Sequence, residues 1–334
     1  MTGEGQKQTS ENVLSIKDLS VNFNTEDGFI QALRRVSIDI PPRQIVGLVG
    51  ESGCGKSTII NSILKLLSNN AEITNGSIHL QNEDILMMTP TQLRAIRGKR
   101  VSVIFQDPMT SLNPALSIAR QMTDIQYRDQ INKSTKRQRA IDMLTRVGIP
   151  DAQKRLKSYP HQFSGGMRQR IAIAMALLMK PDLLIADEPT TALDATLQIQ
   201  IIELLKVLQK EFRCSVLFVS HHLGLVADFC DQVVVMYAGE VVESGDVRDI
   251  FHRAAHPYTK RLLECDPARI KTKTRILPTI PGNIPDLVNL SNDCIFKERC
   301  HIKDDKCPLT IAPLRELTPG HFVQCHLSQA GESQ

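Results

Sequence analysis

The 334-residue sequence has no tryptophan, only 4% aromatic residues and no apolar run long enough to cross a membrane. Its longest apolar run, residues 171–179, is well short of the ~20 residues that a membrane-spanning helix needs. The polar N-terminal stretch, MTGEGQKQTSEN, lacks the basic and apolar parts of a signal peptide. We therefore expect a chain that stays out of the bilayer and works in the cytosol.

A strong excess of one charge is also missing, since 40 Lys and Arg residues face 36 Asp and Glu residues. A basic stretch that comprises Lys133, Lys136, Arg137 and Arg139 is interrupted by Ser, Thr and Gln and contains no aromatic residues. This pattern favours a solvated helix face. We predict no nucleic-acid partner.

Strand-like apolar runs alternate with helical patterns from about residue 13 to residue 242. The runs lie at residues 45–50, 101–105, 183–186, 216–220 and 233–237. Such alternation predicts an α/β fold with a largely parallel sheet covered by helices. Residues 107–180 have mostly helical patterns and no strong strand, which indicates a helical subdomain inserted into the core.

The length favours one large domain with a smaller domain appended to it. After about Asp246, prolines and basic residues mark an irregular linker, namely Pro257, Pro267, Arg269, Lys271, Lys273, Arg275, Pro278, Pro281 and Pro285. We predict a first domain over residues 13–250, with its helical subdomain at about 107–180, and a C-terminal extension over residues 251–334.

A phosphate-binding pattern, G-x-x-x-x-G-K-[ST], spans residues 50–57. It follows an apolar strand and precedes a helix-forming run, the context that the pattern requires. In such loops backbone N–H groups surround phosphate oxygens, the lysine (Lys56) reaches the β- and γ-phosphates, and the hydroxyl (Ser57) ligates Mg²⁺. The predicted ATP-binding residues are Gly50, Glu51, Ser52, Gly53, Cys54, Gly55, Lys56, Ser57 and Thr58.

A second apolar strand, residues 183–186, is followed by Asp187 and Glu188. There Asp187 can hold Mg²⁺ through water, and Glu188 can polarise an attacking water. Two acids at a strand end also occur as a helix cap or turn. The phosphate-binding loop on the same chain favours the catalytic interpretation.

Residues 159–170, Tyr-Pro-His-Gln-Phe-Ser-Gly-Gly-Met-Arg-Gln-Arg, resemble the signature motif of ABC transporter ATPases. In that family the Ser-Gly-Gly turn, here Ser164, Gly165 and Gly166, faces the γ-phosphate of ATP held by the opposite subunit. The resemblance implies an ABC-type ATPase core that works as a dimer with nucleotides at its interface.

Three further segments resemble motifs of the same family. Gln106 matches the Q-loop glutamine, Asp194 ends a Thr-Ala-Leu-Asp segment like the D-loop, and His221 matches the switch histidine. The resemblance implies that Mg²⁺ is held by Ser57, Gln106 and Asp187. It implies that hydrolysis uses Glu188, Gln106 and His221.

Some positions are ambiguous or depart from the family pattern. Phe23, with Phe29 as the alternative, is the candidate for stacking on adenine, although both fit core or hairpin positions equally well. Met167 stands where many members have Gln. Methionine at this position is familiar in the importer branch named below. His222 replaces the usual Asp, a substitution that could alter the position of His221 or its response to pH.

Eight cysteines in a cytosolic chain argue against disulfides, because that compartment keeps thiols reduced. Four of them are scattered, and the other four cluster near the C-terminus: Cys294, Cys300, Cys307 and Cys325. Their spacing matches neither common zinc ribbons nor ferredoxins. Spacing alone leaves metal ligands and unrelated buried thiols equally open.

The C-terminal sequence resembles the extension of dipeptide and oligopeptide importer ATPases, through residues 256–259, 280–285 and 293–326. The resemblance covers about residues 13–326. It implies that the four clustered cysteines carry a [4Fe–4S] cluster; thiolate chemistry suits zinc as well.

The function implied by this resemblance is ATP hydrolysis that powers import of di- or oligopeptides. The chain would act at the cytoplasmic face of the inner membrane with two permease subunits, a related ATPase subunit in a heterodimer and an external binding protein. Alternatives are import of nickel or another small solute, a non-transport ABC ATPase acting on DNA or ribosomes, and an iron–sulfur regulatory protein.

Overall fold

A computed structural model describes most of the chain, namely residues 12–26, 28–107, 111–191, 193–266, 278–288, 290, 293–305, 307 and 310–328. The predicted linker residues Pro267, Arg269, Lys271, Lys273 and Arg275 lie outside these ranges. Pro257 was also predicted in the linker, but it is the first residue of a helix, Pro257–Glu264, where proline is well tolerated. Among the described residues, no helix combines the length and apolar character needed to cross a membrane.

The first sheet is antiparallel and has the strand order β2-β1-β4-β5. Its strands are β1 (Leu14–Thr25), β2 (Gly28–Ile40), β4 (Ala71–Leu80) and β5 (Glu83–Asp84). β1 and β2 form a long hairpin that runs from the Leu14–Ile40 pair to the Thr25–Gly28 pair. No apolar run in the sequence predicted this sheet.

The second sheet has eight strands in the order β11-β12-β10-β9-β3-β8-β7-β6. They are β3 (Ile45–Val49), β6 (Val101–Ile104), β7 (Leu183–Asp187), β8 (Ser215–Val219), β9 (Gln232–Tyr237), β10 (Glu240–Asp246), β11 (Arg315–Thr318) and β12 (His321–Val323). Strands β9, β3, β8, β7 and β6 are parallel, whereas β10, β12 and β11 pair antiparallel. The predicted parallel strands are therefore five neighbouring strands at one side of a mixed sheet, from β9 to the edge strand β6.

The helices fill the connections between these strands. They are α1 (Lys56–Ile63), α2 (Pro90–Ile96), α3 (Ile118–Asp124), α4 (Lys133–Arg146), α5 (Ala152–Arg155), α6 (Gly165–Leu177), α7 (Ala195–Phe212), α8 (Leu223–Phe229), α9 (Val247–His252) and α10 (Pro257–Glu264). Four of them, α3 to α6, lie between β6 and β7, where the described residues form no strand. Asn132, Ser164 and Asp194 cap the N-termini of α4, α6 and α7 through side-chain oxygens.

The eight-stranded sheet separates two hydrophobic cores. Along β3, Ile45 and Val49 belong to one core, and Val46 and Leu48 belong to the other. Successive side chains of a strand point to opposite faces, so a strand covered on both faces is apolar throughout. This explains why β3 was visible as an apolar run. The antiparallel sheet covers one face, and the α4, α6 and α7 helices cover the other.

Candidate nucleotide-binding site

The phosphate-binding loop connects β3 to α1 at the carboxyl end of the central parallel strands. A Cβ atom at Gly50 would lie 2.2 Å from the backbone oxygen of Met236. Gly55 has φ +104°, and a Cβ atom there would lie 2.7 Å from Leu33 Cδ2. Because real Cβ contacts are never this short, the loop requires glycine at both positions.

Lys56 is buried at the first position of α1 and points back into the loop. Its Nζ donates hydrogen bonds to the carbonyl oxygens of Gly50, at 2.8 Å, and of Glu51, at 3.1 Å. Ser57 and Thr58 follow in the first turn of the same helix. A helix N-terminus with an ammonium group beside it favours phosphate.

A pocket of about 700 Å³ joins the loop to residues from distant parts of the sequence. It is lined by Ala32, Gly50, Glu51, Ser52, Gly53, Gly55, Lys56, Ser57, Thr58, Gln106, Glu188, Thr191, His221 and Leu262. The structure therefore brings the loop, the Q-loop glutamine, the candidate base and the candidate switch histidine to one place. Its size is typical of small-molecule sites.

Glu188 is the point on which the candidate catalytic side chains converge. One carboxylate oxygen lies 3.1 Å from Nδ1 of His221. The other accepts hydrogen bonds from Nε2 of Gln106, at 3.1 Å, and from the hydroxyl of Thr191, at 3.0 Å. These contacts fix the carboxylate at the pocket wall, where it can orient a water.

The backbone of Glu188 has φ +45°, a left-handed conformation that non-glycine residues rarely adopt. The Glu188 N–H donates to the Val219 carbonyl at the end of β8, at 2.9 Å. Strained backbone of this kind is concentrated at functional sites, where the surrounding structure holds it in place.

Asp187 is the last residue of β7 and pairs with Val219 of β8. Burial raises its pKa, the neighbouring Glu188 carboxylate raises the pKa further, and the Lys56 ammonium opposes both effects. A cation near Asp187 would favour its charged form. Asp187 is absent from the described pocket lining, so it borders the site from the strand end.

The His221 and His222 rings are in contact at a tilt of 38°, with their centroids 4.3 Å apart. Burial lowers the pKa of His222, and the nearby His221 lowers it further. The His222 backbone N–H donates to Ser220 Oγ at 3.0 Å. His221 still reaches Glu188, so the unusual His222 leaves the contact between histidine and glutamate in place.

The side chains of two predicted nucleotide-binding residues, Cys54 and Phe23, do not line the described pocket. The Cys54 side chain is only 1% exposed and packs in the core beneath the loop, with Sγ 3.6 Å from Lys56 Nζ. Phe23 lies in β1, half-buried against the same core, and is not among the described residues that line the pocket. Phe29, the alternative, is 56% exposed in the hairpin strand β2. Stacking of Phe23 on adenine therefore stays a prediction.

The Ser-Gly-Gly turn begins helix α6, and none of its three residues is among those described as lining the pocket. Ser164 is exposed, and its hydroxyl accepts from the Met167 N–H at 3.4 Å. A Cβ atom on Gly166 would lie 3.3 Å from Leu197 Cδ1 of α7, so that glycine also allows helix packing.

Asp194 caps α7, and its carboxylate accepts a hydrogen bond from the Leu197 N–H at 3.0 Å. This contact is structural, and Asp194 does not line the described pocket. Ala192, in the same predicted motif, lies outside the described residues.

Three pocket residues were not among the predicted site residues: Ala32, Thr191 and Leu262. Thr191 stood inside the D-loop resemblance, so its position next to Glu188 was the one available signal. Ala32 and Leu262 carry no chemical signature, and only the fold brings β2 and α10 to the loop.

All four clustered cysteines are free thiols; Cys307 and Cys325 are buried, and Cys294 and Cys300 are half-buried. The Cys294 N–H donates to the Cys307 carbonyl at 3.2 Å. Burial raises the pKa of Cys294 to about 11, with smaller contributions from the other three thiols. The described residues contain no group of three or more His, Cys, Asp or Glu side chains arranged to hold a metal. The [4Fe–4S] prediction is therefore not confirmed.

The strand order, the glycine loop and the carboxylate beside it define the class of P-loop ATPases, and solved structures narrow this class to ABC ATPases. The dimeric post-hydrolysis state of the ATP-binding cassette MJ0796 with ADP and Pi has a TM-score of 0.62 at 28% identity, covering 70% of this chain and 99% of that chain. The cbiO1 protein of Clostridium perfringens, part of the ABC transporter complex cbiONQ, has a TM-score of 0.62 at 29% identity, covering 72% and 91%.

Sequence comparison agrees with this class. Residues 33–191 match the ABC transporter family, and residues 242–307 match the oligopeptide/dipeptide transporter C-terminal region. The dipeptide transport ATP-binding protein DppD of Bacillus subtilis is 46% identical, with 95% of each chain covered. The oligopeptide transport ATP-binding protein OppD of Escherichia coli is 42% identical, covering 96% of this chain and 94% of the relative. The chain belongs to the ABC transporter family, within the group of ATP-binding proteins that contains DppD and OppD.

Proposed function

We propose that this chain is the ATP-hydrolysing subunit that powers import of di- or oligopeptides through a membrane ABC transporter. The observation that carries the proposal is the convergence of Gln106, Thr191 and His221 on the Glu188 carboxylate beside the phosphate-binding loop. The names of relatives that are 42–46% identical over nearly the whole chain support peptides as the solute class.

In the proposed reaction, the loop and Lys56 bind the ATP phosphates. Ser57, Gln106 and Asp187 would hold Mg²⁺, which supplies positive charge against the phosphate oxygens. Glu188 orients a water toward the γ-phosphate and takes up its proton, and His221 stabilises the developing negative charge. The hydrogen bonds already present around Glu188 fix its carboxylate for this task.

The turn at Ser164, Gly165 and Gly166 supports a dimer with a second ATPase subunit. This turn is a helix N-terminus, which suits a phosphate, yet it lies apart from the pocket of its own chain. A second, related ATPase subunit would therefore receive the turn over its own ATP, with Asp194 near the shared interface. Two permease subunits and an external binding protein complete the proposed complex.

We also propose the domain organisation and location. Residues 13–250 would form the ATPase domain, with a helical subdomain at about 107–180, and residues 251–334 would form the extension. The assembled complex would place the chain at the cytoplasmic face of the inner membrane.

The test is uptake of a labelled dipeptide and a labelled longer peptide by cells that carry either the native chain or Glu188→Gln. Loss of uptake, with the variant present and binding ATP, is the expected result. Glu203→Gln on the exposed face of α7 is the matched control and should transport normally. Unchanged peptide uptake in the Glu188 variant would overturn the proposal. Glu188-dependent uptake of nickel alone would identify the alternative solute.

A metal or iron–sulfur site at Cys294, Cys300, Cys307 and Cys325 is a second proposal, supported by the donor chemistry of four free thiols. Such a site would stabilise a tail that has little core of its own. Protein purified without oxygen is expected to contain iron and acid-labile sulfide. The Cys300→Ser variant should contain less of both. Protein with neither iron nor zinc would contradict the proposal.

A further inference from the structure

The cysteine-rich tail contacts the phosphate-binding loop directly through Arg299. Its guanidinium forms a two-point ion pair with the Glu51 carboxylate, with Nη–Oε distances of 2.7 and 3.1 Å. The Arg299 side chain is 4% exposed and that of Glu51 is 27% exposed. A buried, bidentate pair of this kind fixes both partners far better than a surface ion pair does.

Besides a backbone hydrogen bond from the Cys54 N–H to its carbonyl, at 3.2 Å, three contacts hold Glu51 in place. Its backbone N–H donates to the Tyr258 hydroxyl at 3.0 Å, its carbonyl accepts from Lys56 Nζ at 3.1 Å, and its carboxylate binds Arg299. The loop is therefore anchored to α10, to its own lysine and to the tail. The contact with the tail is the one that places a positive charge directly on the Glu51 carboxylate.

The charge of Glu51 is unfavourable in a loop that binds phosphate. Glu51 lines the same pocket as Lys56, so its negative charge would repel the phosphates of ATP at short range. Arg299 neutralises that charge through the ion pair. Removing Arg299 leaves the carboxylate uncompensated beside the anion site and free to change its position.

Arg299 is itself rigidly placed. Its Nε and Nη2 donate to the carbonyl oxygens of Pro281, at 3.1 Å, and of Ile280, at 3.0 Å. Its guanidinium carbon lies 5.6 Å from the centre of the Tyr237 ring. Three residues earlier, Phe296 is 1% exposed and packs edge-on against Tyr237 and Tyr258, at centroid distances of 5.1 and 5.5 Å.

Two clustered cysteines, Cys294 and Cys300, flank the segment that contains Phe296 and Arg299. A change in the conformation of the tail around these cysteines would therefore move Phe296 and Arg299, and with them Glu51. This connection runs through contiguous side chains from the tail to the site.

We propose that Arg299 is a positioning residue for ATP binding, which holds and neutralises Glu51 and makes the affinity of the loop depend on the cysteine-rich tail. The inference rests on the proposed ATP site. It assigns the C-terminal extension a regulatory role in nucleotide binding, in addition to any metal that it carries.

The test measures the Kd of a fluorescent ATP analogue for the full-length chain. Arg299→Ala is expected to weaken binding roughly tenfold, the scale of one uncompensated charge near the phosphates. In hydrolysis by the assembled complex, the KM for ATP should rise while kcat at saturating ATP stays near the native value. The double variant Arg299→Ala/Glu51→Gln should bind more tightly than Arg299→Ala, because the repelling charge is gone.

Arg299→Lys keeps the charge without the two-point geometry and should give an intermediate Kd. Lys297→Ala removes a neighbouring tail cation that pairs with Asp293 within the tail, and it serves as the matched control with native affinity. Native affinity in Arg299→Ala, or weakened binding that Glu51→Gln does not relieve, would overturn the inference. Binding by the native chain that Lys56→Ala leaves unchanged would instead count against the proposed ATP site.

Discussion

Acidification should destabilise the protein through His256, a buried imidazole at the junction between the ATPase sheet and the tail. His256 is 2% exposed and caps α10, and its Nδ1 accepts a hydrogen bond from the Tyr258 N–H at 3.1 Å. Its own backbone N–H donates to Glu243, which also pairs with His321 of β12. The ring is therefore held in its neutral form.

The size of the effect follows from the pKa of His256. Burial lowers this pKa from 6.5 to about 4, and the Glu243 carboxylate opposes the shift. Between these values the unfolded chain binds a proton that the folded chain excludes, so stability is complete above pH 6.5 and falls as the pH approaches 4. The loss amounts to about 3 kcal/mol of unfolding free energy, at about 1.4 kcal/mol for each pH unit.

Urea denaturation followed by circular dichroism, from pH 7.5 to pH 4.5, measures this loss. His256→Asn is the informative variant, because its side-chain oxygen keeps the cap on α10 but cannot bind a proton. Its stability should fall less steeply with acid than that of the native chain, by roughly 2 kcal/mol over this range. Parallel curves for the two proteins would show that His256 does not exclude a proton in the folded state.

Two further substitutions test how the site is built. Phe296→Ala should lower the unfolding free energy by about 3–5 kcal/mol, because it leaves a cavity between Tyr237 and Tyr258. Ile302→Ala, at a position 45% exposed in the tail, should cost far less in the same urea titration. Gly50→Ala should lower the melting temperature more than Gly53→Ala, because an added Cβ would meet the Met236 carbonyl at 2.2 Å only at position 50. Equal effects at the two glycines would contradict the proposed packing of the loop.

The sequence predicted the central parallel strands well, because each is buried on both faces and therefore apolar throughout. Strand β3 was predicted at 45–50 and observed at Ile45–Val49. The antiparallel sheet was not predicted. In β1, buried Leu14 and Ile16 alternate with more exposed residues, so no continuous apolar run marks the strand.

Most of the site could be predicted, because its polar and charged residues lie in sequence motifs that are defined by those residues. The loop, Gln106, Glu188 and His221 meet in one pocket as expected. An aromatic residue upstream of the loop does not by itself indicate adenine stacking, since a strand residue with one face on the core, such as Phe23, gives the same pattern. The pairing of Glu51 with Arg299 joins residues 248 positions apart, and no local pattern in the sequence indicates it.

The Glu188 carboxylate is proposed to activate the water that attacks ATP, and single-turnover hydrolysis by the assembled complex measures that step. Glu188→Gln keeps the shape of the side chain but cannot accept a proton. It should slow γ-phosphate cleavage by at least roughly 100-fold while ATP still binds. Cleavage at a near-native rate in this variant would contradict the account.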